Sequence, residues 1–74
     1  MTDHPDARWF ADRVRRSTTP RSGLALLHVT GSFELATTIL RALEDAGLIR
    51  CAGPDPDCPR VWRVDLVGQL YEAA

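Results

Sequence analysis

Seventy-four residues make one domain and leave no room for a second; a chain of this length buries only roughly 60% of its unfolded surface, so every core side chain counts. A formal charge of −1 and a pI near 6.0 exclude a globally basic nucleic-acid binder. The longest apolar run of the first half, Leu24 to Leu27, is far below a membrane span, and the polar start MTDHPDAR lacks the hydrophobic segment of a signal peptide, so the expectation is a soluble, cytoplasmic protein with no membrane association.

Charge is unevenly spread. Arg8 to Arg21 hold five arginines against Asp12, whereas Glu34 to Asp57 hold five acids against Arg41 and Arg50. In chain order, Asp6 to Arg16 predicts a first helix with Pro5 near its start and Ala7, Phe10, Ala11 and Val14 on its apolar side. STTPRSG breaks it, and Gly23 to about Val29 reads as a short second helix, closed by a turn at Thr30 and Gly31. A third helix runs over about 33–46, with Ser32 as its N-cap, Glu34 in its first turn and Gly47 as a left-handed stop. At about 100° per residue, Leu35, Ala36, Ile39, Leu40, Ala42, Leu43 and Ala46 share one arc with Phe33. Glu34, Thr37, Thr38, Arg41, Glu44 and Asp45 share the other.

After Gly47, a strand from Leu48 to Cys51, a turn AGPDPD and a second strand from Arg60 to Leu66 predict a wing-like hairpin over about 48–66. Trp62, Val64 and Leu66 alternate there with Val61, Arg63 and Asp65. Pro54, Pro56 and Pro59 exclude regular pairing of the near ends, and Val67 to Ala73 adds a short C-terminal helical turn. The expected class is α+β: a winged helix-turn-helix of three helices and a two-stranded wing hairpin, occupying residues 1–74 as one domain.

The order of elements, and above all Ser32 to Ile49, resembles the C-terminal gamma domain of bacterial DNA translocases of the FtsK/SpoIIIE type. That family's recognition helix reads approximately GYNRAAR, two aliphatics, an apolar-centred stretch and then E, two residues and G-I-V. The matching positions are Ser32 to Leu40, Leu43, Glu44, Gly47, Leu48 and Ile49, with weaker likeness at Phe10, Val14 and RVWRV from Arg60 to Val64. The resemblance implies a winged helix and double-stranded DNA as partner. The family's asparagine and two arginines, which read and grip DNA, are replaced by Glu34, Leu35 and Thr38. No GxxxxGK[ST] motif is present, so this chain carries no motor.

On a winged helix the start of the third helix enters the major groove and the wing touches the backbone. That nominates Ser32, Thr37, Thr38 and Arg41 for the groove, through hydroxyls and a forked guanidinium, unless Arg41 pairs with Glu44 or Asp45 on a solvated face. Arg60 and Arg63 are candidates for phosphate contact from the hairpin, or for wing solubility. Arg13, Arg15, Arg16 and Arg21 form the densest basic group, with Arg16 and Arg21 carried forward as backbone contacts.

Trp9 lies off the apolar side of the first helix with Arg13 and Arg16 one and two turns on. A cation–π pair or a partner contact is possible, and covering of the wing or C-terminus is the preferred reading. Cys51 and Cys58 are expected to be buried or idle thiols rather than a disulfide. With His4 and His28 they match no common zinc spacing, so no metal and no cofactor is expected. No nucleophile has a base near it in sequence, and enzyme activity is not expected. The leading reading is DNA binding in a transcriptional or DNA-maintenance role; the alternative is a protein-interaction module that has lost DNA reading.

Overall fold

The first helix begins where its sequence can satisfy the free N–H groups of a helix start. In the computed structural model, which describes residues 1–62 and 65–74, α1 spans Pro5–Arg16 and the His4 imidazole caps it, Nδ1 accepting from the Asp6 N–H at 3.1 Å. Pro5 takes the first turn, where its missing N–H costs nothing, and Arg13, Arg15 and Arg16 complement the dipole at the far end. Ala7, Phe10 and Val14 recur at helical spacing and are buried, as the sequence predicts.

The helix pair that follows is defined by two left-handed glycines. α2 (Leu24–Thr30) ends at Gly31, φ 66°, whose N–H donates to the Leu27 carbonyl. α3 (Phe33–Asp45) starts one residue later with the Ser32 hydroxyl oxygen accepting from the Leu35 N–H at 3.1 Å. It ends in a Schellman motif: Gly47, φ 74°, donates to Glu44 O, and the Leu48 N–H donates to Leu43 O. Its buried stripe is Ala36, Ile39, Leu40 and Leu43, each 0% exposed, so the 3.6-residue period read from the sequence is the period the core uses. Phe33, 44% exposed, and Ala46, the exposed C-cap, depart from the expected arc.

The sheet differs from the expected hairpin. Three antiparallel strands, β1 (Arg21–Ser22), β2 (Ile49–Pro54) and β3 (Gln69–Ala73), lie in the order β1-β3-β2. The second hairpin strand is therefore at 69–73, not at Arg60 to Leu66, where 3₁₀ turns form at Arg60–Trp62 and Leu66–Gly68. Arg63 and Val64 lie outside the described residues. The helical turn expected over Val67 to Ala73 survives only as the 3₁₀ turn Leu66–Gly68. Leu70, Tyr71 and Glu72 have ordinary helix propensity, but pairing on both sides outweighs it: Arg21 and Cys51 both flank Tyr71. Pro54 also pairs, opposite Gln69 at the strand's last position. A bulge between Cys51 and Gly53 accommodates the extra residue, Ala52.

Tyr71 ties the layers together. Its ring is fully buried and edge-on to Phe10, with centroids 6.1 Å apart at 79°, and its hydroxyl donates to the Leu66 carbonyl at 2.7 Å. Gly23 does the same by absence: a Cβ there would stand 2.8 Å from the Val67 Cα and 2.9 Å from the Leu66 carbonyl oxygen. The proline-rich segment is pinned by the buried Asp55. Its N–H donates to Gly68 O, and its carboxylate accepts from the Asp57 N–H.

Candidate nucleic-acid interface

α3 turns its apolar stripe to α1, α2 and the Leu66–Gly68 turn, and so leaves the opposite side bare. Glu34, Thr38, Arg41 and Asp45, spaced at four, three and four residues, form an exposed row along it. Arg41 makes no ion pair among the described residues, so the pairing with Glu44 or Asp45 that would have neutralised it is not formed. Thr38 donates to the Glu34 carbonyl at 2.8 Å, which occupies its proton and leaves its lone pairs outward. Ser32 accepts from Leu35 N–H as a cap, and its own hydroxyl proton stays available for a partner.

Thr37 does not belong to this row. Its Oγ1 is buried and meets no hydrogen-bond partner, so the hydroxyl nominated for groove contact is not presented to a ligand. The expectation fails because position 37 sits at the border of the apolar arc, where a rotation of a few tens of degrees decides between solvent and the interior.

The remaining nominated arginines divide. Arg60 is exposed, next to a Val61 that is 71% exposed, and Arg63 lies outside the described residues. Arg16 pairs through Nε with the Asp12 carboxylate at 3.1 Å, and Arg15 binds the other carboxylate oxygen at 2.6 Å. The Arg15 hydrogen bond, opposed by desolvation and reinforced by the charges of Arg16 and Arg15, holds the Asp12 carboxyl below its ordinary value. Arg21 donates from Nε to the Ser17 hydroxyl at 2.6 Å.

These groups meet in one place. Trp9, Asp12, Arg13, Arg16, Ser17 and Arg21 line an open groove of about 320 Å³ between α1 and β1. Trp9 is 38% exposed rather than covered, and the Arg13 guanidinium lies over its ring, 5.4 Å from the centroid. The spacing of Trp9 and Arg13 is visible in the sequence. The arrival of Arg21 is not, because a two-residue edge strand sets it there.

Neither cysteine forms a disulfide: Cys51 is exposed with its thiol donating to the Gln69 side-chain carbonyl at 3.5 Å, and Cys58 is buried. Among the described residues no group of three or more His, Cys, Asp or Glu side chains is placed to hold a metal ion, and no helix is long and apolar enough to cross a membrane. Comparison with protein-family models, with characterised proteins and with solved structures finds no match to this chain.

Proposed function

We propose that the chain is a winged helix-turn-helix domain that binds double-stranded DNA, with α3 as the helix that enters the major groove. The observation that carries this reading is the α2–turn–α3 unit: a left-handed Gly31 and a Ser32 cap set two helices one residue pair apart, and the second keeps its buried stripe inward and the row Glu34, Thr38 and Arg41 outward. The strand order β1-β3-β2, with β3 between a short strand before α2 and a longer one after α3, agrees with that architecture. Arg41, unpaired among the described residues, is the groove-facing guanidinium suited to guanine or phosphate; Thr38 and Ser32 supply hydroxyls beside it. Arg60, exposed on the segment after β2, is assigned to backbone phosphate in this reading.

A duplex titration followed by amide chemical shifts tests this. At about 20 mM salt, shifts are expected at Ser32 to Arg41, fading as salt rises, because phosphate binding releases counterions. Arg41→Glu is expected to weaken binding at least tenfold, since it exchanges an attraction for a repulsion at a phosphate or guanine edge. No shift in α3 at low salt would sink the reading.

A second reading is favoured by one observation. Val29 and Phe33, on either side of the inter-helix turn, are 46% and 44% exposed, and Glu34 stands beside them. Two exposed apolar side chains four residues apart, with a carboxylate next in sequence, suit a basic, apolar protein segment better than phosphate. Phe33→Ser separates the two: it is expected to abolish capture of such a segment and to spare duplex binding.

A further inference from the structure

The groove between α1 and β1 lies on different elements from the α3 row, and its chemistry is different too. Arg13, Arg16 and Arg21 bring three guanidinium groups to it against a single carboxylate, Asp12, which already binds Arg15 and Arg16. Arg13 has no ion pair among the described residues. Arg21 is held only through Nε, by the neutral Ser17 hydroxyl, and its terminal nitrogens make no further hydrogen bond there. The groove therefore carries an excess of positive charge that an anionic ligand would balance.

Its wall adds a flat surface. The Arg13 guanidinium lies over the Trp9 ring, 5.4 Å from its centroid, and the part of the indole left exposed can take a second planar group. A bare anion has no use for the indole, and an acidic peptide engages arginines without stacking. A double helix offers phosphates but hides its base faces. An unpaired nucleotide offers both a phosphate and a π-face, and about 320 Å³ is enough for one and little more.

We infer that this groove binds single-stranded nucleic acid, one base stacking on Trp9 while Arg13 and Arg21 hold the adjoining phosphates. Ser17, the polar uncharged side chain of the groove, already donates to the Arg13 carbonyl and accepts from Arg21, so once phosphate engages the guanidinium groups no uncharged lining side chain is left to read base edges or the sugar hydroxyl. Binding is sequence-tolerant, and deoxythymidine and uridine strands bind alike.

The test is fluorescence anisotropy of labelled oligothymidylate and oligouridylate at low salt, with the full chain. Trp9→Leu is expected to weaken both by between roughly fivefold and 150-fold, the range of one base–aromatic stack. Trp9→Phe keeps a ring and is expected to retain most of the affinity; Arg13→Gln with Arg21→Gln is expected to lower it and flatten the salt dependence. Circular dichroism of each variant identifies any that fails to fold, and the arginine pair, one exposed and one half-buried, carries the test if Trp9→Leu does. The inference is overturned if neither strand binds, if a folded Trp9→Leu binds as well as the native chain, or if polyglutamate or inorganic phosphate displaces the strand at equal charge. Arg41→Glu distinguishes it from the duplex reading: that change is expected to weaken duplex binding at least tenfold and leave strand affinity unchanged.

Discussion

At the scale of single residues, two positions show how little slack the core has. The Thr37 hydroxyl is buried without a partner, an arrangement that costs about 1 kcal/mol or more. Thr37→Val replaces the hydroxyl by a methyl of similar shape, so urea unfolding is expected to show a gain of about 1 kcal/mol, with duplex affinity unchanged. A loss of affinity in that variant would return Thr37 to the proposed DNA-binding face. Gly23→Ala is expected to do the reverse. Its helical φ of −62° favours alanine by about 0.4–1 kcal/mol, but the added Cβ meets backbone atoms of Leu66 and Val67 that no rotamer change moves aside. Overpacking of about 1–3 kcal/mol wins, and the unfolding midpoint is expected to fall.

At the scale of elements, what was legible is what is decided locally. The helices were readable because their ends are written in caps and glycines, and because Ala36, Ile39, Leu40 and Leu43 keep helical spacing. Ser32→Ala is accordingly expected to cost about 1 kcal/mol in chemical denaturation, since the Leu35 N–H loses its acceptor. The strands were not readable, because partners far along the chain make them. Arg21 and Ser22 inside STTPRSG become β1 only by meeting Tyr71 and Leu70, and Gln69–Ala73 becomes the central strand only because β1 and β2 flank it. The alternation from Arg60 to Leu66 looked like a strand, yet its described parts turn as 3₁₀. The candidate sites follow the same rule. Arg41 on α3 and the Trp9–Arg13 pair on α1 were visible as helix faces; the arrival of Arg21 beside them, and the inward turn of Thr37, depend on tertiary placement.

At the scale of the whole molecule, the helices and the sheet share one core, within a radius of gyration of 10.7 Å, and Tyr71 joins its parts: Phe10 of α1, the Leu66 carbonyl and both neighbouring strands. Burial, and then the charges of Glu44 and Cys51, push its phenol well above the ordinary value of 10.0. The folded state therefore binds this proton more tightly than the unfolded chain. Its contribution to stability is fully present below pH 10 and is lost as pH rises above it, at a slope approaching about 1.4 kcal/mol per pH unit until the folded group ionises. For a domain of this size, stabilised by about 4–11 kcal/mol, each such unit removes a sizeable fraction of the stability. The chain has one tyrosine and no lysine, so tyrosinate absorbance reports on this group alone. Raising the pH is expected to leave Tyr71 protonated past 10 and then to ionise it together with loss of the circular dichroism signal, in one cooperative step. Tyr71→Phe cannot titrate; it is expected to be less stable at neutral pH by about 1–2 kcal/mol, because the Leu66 carbonyl loses its donor, and to show a flatter stability profile above pH 10. Ionisation at the ordinary value, without unfolding, is the result that would place the ring in solvent and dissolve the link between α1 and the sheet.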